Sequence, residues 1–382
     1  MSEAIETQAA GEATLRRSPL EEAHRRAGAL SREQDGCAVV ASYGDARAEY
    51  DAVRGGGGAG LVDLSTRGRV EVSGSEAVQF LNGLVTNDVK ALADGAWMFA
   101  ALPNVQGRLL ALARVARLGD TFHFDTEPTT HSVLLKALER FVPAGDFRVR
   151  DATGETACVS VQGAGAAEII KATLGGEASG VERGRVAFAE VGGARLFTIR
   201  ATHTAEDGFD IFCAAGDAEK VWEALASAGA RPVGCDALEV LRVEAGVPRH
   251  GVDVDESNVV LEAVPEEAVS FTKGCYAGQE IIARIHWRGH VAKKLAGLLL
   301  DEPCEPGAKL TSAGEEREAG RVTSCARSPR LGAWVALGVV KYEFLSAGTE
   351  LRVAHADGAT RAARVVELPH VRGSWYEGGA GA

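Results

Sequence analysis

The stretch Ala157-Cys-Val-Ser-Val-Gln-Gly-Ala-Gly-Ala-Ala-Glu168 decides the fold class of this chain. Its first part is a short apolar run, typical of a buried strand, and its glycines lead into an apolar periodicity that predicts a helix over 164–174. Further strands are predicted over 186–191, 195–202 and 208–213, followed by a helix over 217–228 that Gly229 ends. Strands with helices on one side of their sheet indicate an α+β domain.

Two glycine-rich segments invite a nucleotide-binding interpretation. Gly163 and Gly165 begin like a dinucleotide fingerprint, but Glu168 stands where the third glycine belongs. The run Arg54-Gly-Gly-Gly-Gly-Ala-Gly60 lacks a Gly-Lys-Ser/Thr ending and precedes a strand, where a fingerprint would follow one. We predict turns at both places. The motifs of common hydrolases, zinc proteases and nucleotidases do not occur in the sequence.

Outward from the central stretch, the pattern predicts two further units. On its N-terminal side, strands are predicted over 69–73, 109–118 and 121–125, with a helix over 131–141. On its C-terminal side, Asp236 and Glu239 have capping-box spacing at the start of a helix. From residue 293 onward, short apolar segments alternate with Gly/Pro turns, which is typical of a small antiparallel β-barrel. The expected division is a disordered tail (1–17), a domain made of 18–155 and 236–291, a middle domain (156–235), a barrel (292–372) and a tail (373–382).

Composition restricts the class of protein. The chain has 382 residues, 46% of them hydrophobic, and no apolar run approaches the roughly 18 residues needed to span a bilayer. A formal charge of -12 disfavours unspecific coating of nucleic acid or anionic membrane. Seven scattered cysteines without a Cys-x-x-Cys pair fit reduced thiols, and the acidic N-terminus lacks the layout of a secretion signal. We expect a soluble, cytoplasmic monomer.

The segment Phe271-Thr-Lys-Gly-Cys-Tyr-Ala-Gly-Gln-Glu280 carries the strongest candidate for chemistry. Cys275 follows a lysine by two residues, lies between two glycines, and precedes a run over 279–285 that predicts a helix. A thiol near a helix N-terminus and a cation has a lowered pKa and greater reactivity. The alternative is a small buried apolar side chain. Cys275 and Lys273 are therefore the candidate catalytic residues.

Four basic residues follow this segment in an otherwise acidic protein: Arg284, Arg288, Lys293 and Lys294. This basic island is either an ordinary solvated surface or an anion site for a polycarboxylate, a phosphate or a short RNA, with Trp287 available for stacking. His286 and His290 could share a metal with Cys275, but Gly289 weakens the helix between them and we expect no metal site. Glu206-Asp-Gly-Phe-Asp210 is either turn chemistry or an acidic pair for an amino-heterocycle.

Several segments together resemble a folate-binding family that includes the glycine cleavage T protein and its YgfZ-type relatives. The resemblance covers nearly the whole chain and rests on Ser18-Pro-Leu-Glu-Glu-Ala-His24, Gly60-Leu-Val-Asp-Leu-Ser65, Pro103-Asn-Val-Gln-Gly-Arg108, Thr204-Ala-Glu-Asp-Gly-Phe-Asp210 and Leu241-Arg-Val-Glu-Ala-Gly246. Within Lys273–Glu280, the cysteine flanked by Gly274, Tyr276, Gly278, Gln279 and Glu280 is similar to the signature of the YgfZ branch. T proteins have a related segment without the cysteine.

The resemblance implies a three-domain ring around a folate pocket, with a ferredoxin-like middle domain and a C-terminal antiparallel β-barrel. It implies tetrahydrofolate or a derivative as ligand, Glu206 as the residue that holds the pterin, and Asn104 and Arg242 as residues that line or brace the pocket. YgfZ-type proteins are linked to assembly or repair of iron-sulfur enzymes, including one that modifies tRNA. Iron-sulfur client proteins, and with them tRNA, are therefore expected partners.

One departure from the T-protein pattern separates the alternatives. T proteins carry an acid where this chain has Ala111 or Leu112, and neither side chain can transfer a proton. The leading hypothesis is therefore a YgfZ-type folate-binding protein. The alternatives are a folate-dependent aminomethyltransferase, or another one-carbon transferase, and a tRNA-binding accessory protein.

Overall fold

The computed structural model describes residues 15–314, 316–355 and 357–377. The strands in chain order are β1 (Leu30–Gln34), β2 (Cys37–Ser42), β3 (Gly60–Asp63), β4 (Gly68–Ser73), β5 (Ala96–Pro103), β6 (Leu109–Leu118), β7 (Thr121–Thr126), β8 (Arg148–Asp151), β9 (Thr156–Gln162), β10 (Val186–Val191), β11 (Ala194–Arg200), β12 (Gly208–Ala214), β13 (Arg231–Pro232), β14 (Lys293–Leu300), β15 (Lys309–Ser312), β16 (Glu318–Ser328), β17 (Ala333–Lys341), β18 (Glu350–Ala354) and β19 (Thr360–Val366). The helices are α1 (Glu21–Arg26), α2 (Ala46–Arg54), α3 (Ala77–Leu84), α4 (Pro128–Glu139), α5 (Ala166–Leu174), α6 (Gly176–Ser179), α7 (Ala218–Ser227), α8 (Cys235–Ala245), α9 (Val260–Ala263) and α10 (Gln279–Arg288).

The first sheet has five strands in the order β5-β6-β7-β4-β8. Alternation along β7 places Phe122 and Phe124 in a core with residues of α3 and α4, while Asp125 belongs to the other face. β6 is paired so that Arg114 stands opposite Asp125. The sheet therefore buries one face under helices and directs charged side chains from the other.

The second sheet has six strands in the order β10-β11-β12-β9-β3-β13. Helices α5 and α7 supply Ile169, Ile170, Val221 and Leu225 to the core over this sheet. β3 lies between β9 and β13, so a strand from the N-terminal part of the chain completes the middle sheet. The expected boundary at residue 156 therefore does not separate the sheets, because Leu20 and Leu61 also belong to the middle core.

The C-terminal part forms a closed antiparallel barrel in the order β14-β17-β16-β15-β18-β19. Its interior is filled by small and branched apolar side chains such as Leu298, Val322 and Val365. One outer face packs on α8, where Val243 meets Ala326 and Leu337. The α+β class and the terminal β-barrel are confirmed.

Both predicted tails fall partly outside the described residues, which exclude 1–14 and 378–382. The described part of the first tail is ordered, because the main chain of Arg16 bonds to Gly36 and Ala38 at 3.0 and 2.8 Å. The described part of the second is also packed, and Ser374 begins a short 3-10 helix. No helix in the described ranges is long and apolar enough to cross a membrane.

The capping box predicted at Asp236 and Glu239 is wrong. Helix α8 begins at Cys235 with Gly234 as its N-cap, and no side chain caps it. Asp236 instead pairs with Arg32, and Glu239 pairs with Arg242. The helix itself is present because Ala237, Leu241 and Ala245 give it a buried side.

Candidate functional site

A cavity of about 370 Å³ lies where the first and second sheets face each other. This inter-sheet cavity is lined from the second sheet by Phe188, Phe197, Ile199 and Phe212, and the rings of Phe197 and Phe212 stack at 4.7 Å. The first sheet contributes Trp97 and Ala116, which are cross-strand partners on β5 and β6. Its size falls within the range of about 300–1,000 Å³ that is usual for small-molecule sites.

The wall of the inter-sheet cavity also carries polar groups. Its carboxylates are Glu71 and Asp125, and its cationic groups include Arg114. Within the part of the chain that the structure describes, two buried donors of wall residues have no hydrogen-bond partner: Nε1 of Trp97 and Nε of Arg114. An unsatisfied buried donor costs about 1–3 kcal/mol. An apolar cavity bordered by such donors is suited to a flat ligand that offers acceptors.

Charged residues behind the cavity join the two sheets. This central charge cluster consists of six residues: Arg67, Arg114, Asp125, Glu127, His203 and Asp210. Arg67 donates through Nε to both oxygens of Asp125 at 3.0 and 2.9 Å, and it also pairs with Glu127. Arg114 reaches from the first sheet to Asp210 of the second at 2.6 Å, and His203 lies 3.0 Å from the same carboxylate.

The cluster keeps Asp210 and Glu127 ionised, although Asp210 is buried and Glu127 is half-buried. Burial acts to raise the pKa of Asp210, but His203 and Arg114 outweigh it and hold that pKa well below the ordinary value. For Glu127, burial is likewise outweighed by Arg67, so its pKa is also lowered. Removing one partner from such a network leaves an uncompensated charge and is strongly destabilising. The cluster thus places fixed charges at the wall of the cavity, through Arg114 and Asp125.

A second, smaller cavity of about 180 Å³ lies on the other side of the cluster. Arg67, Glu127 and His203 of the cluster line it, together with Arg242. Arg242 is held by Asp253 at 2.7 Å and by the hydroxyl of Ser324 at 2.7 Å, and it also contacts Glu239. This arginine therefore both lines a cavity and ties α8 to the barrel.

Glu206 does not belong to either of these two cavities. One carboxylate oxygen accepts from Arg54 at 2.7 Å, and the other accepts from the amide and the hydroxyl of Ser374 at 2.8 and 2.6 Å. The C-terminal segment approaches so closely that a Cβ added to Gly373 would lie 2.5 Å from the carboxyl carbon of Glu206. Burial acts to raise the pKa of Glu206, but these hydrogen bonds hold it below the ordinary value.

Asn104 lies in the turn between β5 and β6, and its side chain closes that turn. Its Oδ1 accepts from the amides of Gln106 and Arg108 at 2.9 and 3.1 Å. The turn packs against Gly278, where an added Cβ would lie 2.4 Å from the carbonyl oxygen of Asn104. The structure therefore brings Asn104 next to the Lys273–Glu280 segment, apart from the contacts made by Glu206 and Arg242.

Lys273 and Cys275 point to different surroundings. The ammonium of Lys273 is buried and donates to the carbonyls of Val85 and Asn87 at 2.8 and 2.7 Å. Burial lowers the pKa of Lys273 to about 8. Cys275 is exposed, and α10 begins at Gln279 with Gly278 as its N-cap, three residues beyond the thiol. The contacts thus place the lysine inside the fold and the cysteine at the surface.

The rest of the segment anchors it to the body of the protein. Tyr276 is buried, and burial raises its pKa to about 12. Gln279 lies 3.5 Å from the carbonyl of Gly274, and Glu280 pairs with Arg284 at 2.9 Å. An added Cβ at Gly274 would meet nothing within 4 Å, so packing does not require glycine there. Tyr276 and Gly278 thus anchor the segment together with Lys273.

The basic island runs along the end of α10 into β14. Trp287 is 79% exposed there, and Arg288 is also on the surface. His286 stacks on Phe271 at 3.7 Å, and His290 stacks on Tyr342 at 4.0 Å. Among the described residues, no three His, Cys, Asp or Glu side chains are grouped to hold a metal ion.

The two positions without an acid differ in environment. Ala111 is fully buried in the core of the first sheet. Leu112 is half-buried and packs on an apolar cluster that includes Val254 and Tyr276. Tyr276 belongs to the cysteine-bearing segment, so the leucine and that segment share one packing unit.

The sequence interpretation missed the central charge cluster and the inter-sheet cavity. Arg67, Asp125 and Asp210 are separated by scores of residues, and only the pairing of β6 with β7 and the facing of the two sheets bring them together. Alternation did carry a signal. Asp125 continues the polar face of β7 that begins with Thr121 and His123, and Arg114 interrupts a run of apolar residues on β6.

Known proteins resemble the chain over nearly its whole length. The family described as GCVT N-terminal domain matches residues 20–273, and the glycine cleavage T-protein C-terminal barrel domain matches residues 293–371. The aminomethyltransferase of Rubrobacter xylanophilus is 33% identical over 362 residues, 94% of this chain and 95% of that protein. The probable aminomethyltransferase of Natronomonas pharaonis is 34% identical over 351 residues, covering 89% and 95% respectively.

A solved structure agrees with the fold. The crystal structure of glycine cleavage system aminomethyltransferase T from Bartonella henselae superposes with a TM-score of 0.84 at 26% identity, covering 94% of this chain and 98% of that one. The resemblance to T proteins is thereby confirmed. The names of these relatives fit the aminomethyltransferase alternative better than the YgfZ-type hypothesis, which they do not confirm.

Proposed function

The chain belongs to the glycine cleavage T-protein family, and we propose that it binds tetrahydrofolate or a derivative in the inter-sheet cavity and acts on its one-carbon unit. The observation that carries this proposal is an apolar cavity whose wall includes stacked phenylalanines, two carboxylates and two buried donors without partners. A pterin is a flat ring with both donors and acceptors, and these groups are complementary to it.

The wall residues would have distinct roles toward the ligand. Phe197 and Phe212 would pack against the ring or the aminobenzoyl group, and Asp125 would accept hydrogen bonds from amino groups. Arg67 fixes Asp125 in place, so this carboxylate is oriented before a ligand arrives. When bound, tetrahydrofolate supplies the nitrogen that carries the one-carbon unit. Glu206 would join the site only by releasing Ser374.

Aminomethyl transfer is the first candidate activity, because the relatives described above are named for it. In this chain, however, Leu112 is on the same face of β6 as the wall residues Arg114 and Ala116, and it offers no carboxylate to move a proton at the folate nitrogen. We therefore expect tetrahydrofolate binding together with slow aminomethyl transfer. The role of tetrahydrofolate as substrate, rather than as a bound regulator, depends on this rate.

A YgfZ-type role in assembly or repair of iron-sulfur enzymes is the second candidate. Two observations favour it: the exposed thiol of Cys275, and the packing of Leu112 against the apolar cluster that contains Tyr276 of the same segment. In this role Cys275 would be the reactive group. Lys273 would act indirectly by anchoring the segment through Val85 and Asn87.

One assay separates the two candidates. The protein is incubated with a lipoyl carrier protein bearing the aminomethyl group and with tetrahydrofolate, and formation of methylene-tetrahydrofolate is followed. Turnover at the rate of a T protein measured alongside would establish the transferase and remove the second candidate. Folate binding without such turnover would support the YgfZ-type role, which Cys275→Ser should then impair without loss of folate binding.

A further inference from the structure

Two cysteines of the barrel form a thiol pair. Cys325 is on β16, Cys304 is in the loop after β14, and their thiols are hydrogen-bonded to each other. The main-chain amide of Cys304 also donates to the sulfur of Cys325. Both side chains belong to the apolar interior of the barrel.

The backbone holds the two cysteines together. The amide of Gly307 donates to the carbonyl of Val322, and the amide of Val322 donates to the carbonyl of Ala308, both at 2.9 Å. These bonds, together with the turn that the amide of Ala308 closes on the carbonyl of Glu305 at 3.1 Å, place residues 305–308 against Val322 of β16. Cys304 directly precedes this turn, Cys325 follows Val322 by three residues, and Cys325 packs on the core cluster that contains Cys304.

The two thiols differ in reactivity. The hydrogen bond from Cys304 lowers the pKa of Cys325 to about 7, whereas the same hydrogen bond and burial raise the pKa of Cys304. Cys325 is half-buried and Cys304 is buried. A thiol whose pKa lies near the ambient pH is the best attacking group in disulfide exchange. By contrast, burial raises the pKa of Cys158 and Cys213.

We propose that Cys304 and Cys325 are a redox-active dithiol that exchanges with low-molecular-weight disulfides such as oxidised glutathione. The Cys325 thiolate attacks one sulfur of glutathione disulfide, which forms a mixed disulfide and releases one glutathione thiolate that takes up a proton. Cys304 loses its proton to solvent and attacks the Cys325 sulfur, which releases the second glutathione thiolate. Two protein thiols are oxidised while one disulfide is reduced to two thiols.

The bond would form beside a contact between the barrel and α8. Ser324, the neighbour of Cys325, accepts from Arg242 at 2.7 Å and donates to Asp253 at 2.7 Å. Oxidation would also close a loop of about 20 residues, which restricts the unfolded chain. This chemistry belongs to the barrel and stands whether or not folate binds between the sheets.

The test is a redox titration of the full chain in glutathione buffers of increasing oxidised fraction. Free thiols are then blocked, the protein is digested, and linked peptides are identified by mass spectrometry. We expect one intramolecular link between Cys304 and Cys325 whose yield follows the glutathione ratio. Cys304→Ser should accumulate glutathione on Cys325, because the resolving thiol is gone. Cys275→Ser, an exposed control, should form the link as wild type does.

Two results would overturn the proposal. One is that both thiols of native protein remain fully alkylated at an oxidised fraction of glutathione at which the denatured protein forms the Cys304–Cys325 link. The other is unresolved glutathione on Cys325 of wild type, since that would mean Cys304 cannot reach it. The wild-type titration decides these outcomes alone, so they do not depend on the folding of any variant.

Discussion

The carboxylate of Glu206 accepts two hydrogen bonds from Ser374, one from its amide and one from its hydroxyl, at 2.8 and 2.6 Å. The same hydroxyl accepts from the amide of Asp207 at 2.9 Å. Trp375 next to it stacks under the guanidinium of Arg183 at 3.7 Å. The C-terminal segment is thus fastened over the residue that the resemblance to T proteins would assign to the pterin.

Removing the hydroxyl should weaken this attachment. Ser374→Ala takes one bond from a carboxylate and leaves the amide of Asp207 without its acceptor, so we expect the free energy of unfolding at pH 7 to fall by about 1–3 kcal/mol. The pKa of Glu206 is lowered in the fold, so its contribution is present above the unfolded pKa and is lost as pH falls through the folded one.

Denaturant unfolding of wild type and Ser374→Ala across pH measures this. The difference in the free energy of unfolding between wild type and Ser374→Ala should shrink as pH falls below about 4, where carboxylates of ordinary pKa become protonated. A difference that stays constant or grows in acid would mean that Glu206 is not the partner that matters.

The indole N–H of Trp97 offers a separate test of the cavity. Because it is buried without a partner, Trp97→Phe should leave the free energy of unfolding unchanged or slightly higher. If a bound folate supplies the acceptor, the same change should weaken tetrahydrofolate binding about five- to tenfold, equivalent to about 1 kcal/mol. Thermal unfolding and calorimetric titration measure the two effects. A loss of stability in Trp97→Phe together with unchanged tetrahydrofolate affinity would contradict the placement of the ligand in the inter-sheet cavity.

Restoring an acid at position 112 should restore proton transfer. Leu112→Asp is expected to raise the rate of methylene-tetrahydrofolate formation about tenfold or more, since a positioned acid or base contributes about 10²–10⁴-fold. Leu112→Asn is the matched control, because it has the same size and cannot transfer the proton. Both variants should lose some stability, because Leu112 packs against the apolar cluster that contains Val254 and Tyr276. Equal rates in the two variants would contradict a proton-transfer role for an acid at position 112.

The tRNA-binding alternative predicts a local effect of charge. Charge reversal at Arg284 and Arg288 together should abolish any salt-dependent tRNA binding, whereas reversal at Lys309 and Arg352 on the barrel should not, although the net charge changes equally. Arg284 already pairs with Glu280 at 2.9 Å, so Arg288 should account for the larger share. Filter binding at several salt concentrations measures this. Equal losses in both double variants would point to net charge alone.

Local patterns predicted the elements better than their assembly. β6 was predicted over 109–118 and forms there, because its apolar run is bounded by turn residues. Helix α10 begins at Gln279 as predicted, since Gly278 adopts the left-handed conformation that ends the preceding turn. The capping box failed because Gly234 begins α8 and a distant arginine takes Asp236.

The site was harder to predict because its contacts are long-range. The place of β3 between β9 and β13 could not be inferred from an isolated four-residue strand. The hydrogen bond from Arg114 to Asp210 joins the first sheet to the second, and the sequence around either residue does not indicate its partner. Glu206 was predicted from a motif, but the motif carries no information on Ser374, which occupies its carboxylate. Reading the residues one by one could not have found these pairings.

The most direct measurement is calorimetric titration of tetrahydrofolate into wild type, Ala116→Trp, Ala116→Ser and Glu206→Ala. Ala116 lines the inter-sheet cavity, so tryptophan would fill it, whereas serine keeps it open. The account predicts binding to wild type and Ala116→Ser and no binding to Ala116→Trp. Glu206→Ala should still bind, because Glu206 lies outside the cavity wall. Absence of binding to wild type, or full binding to Ala116→Trp, would contradict the account.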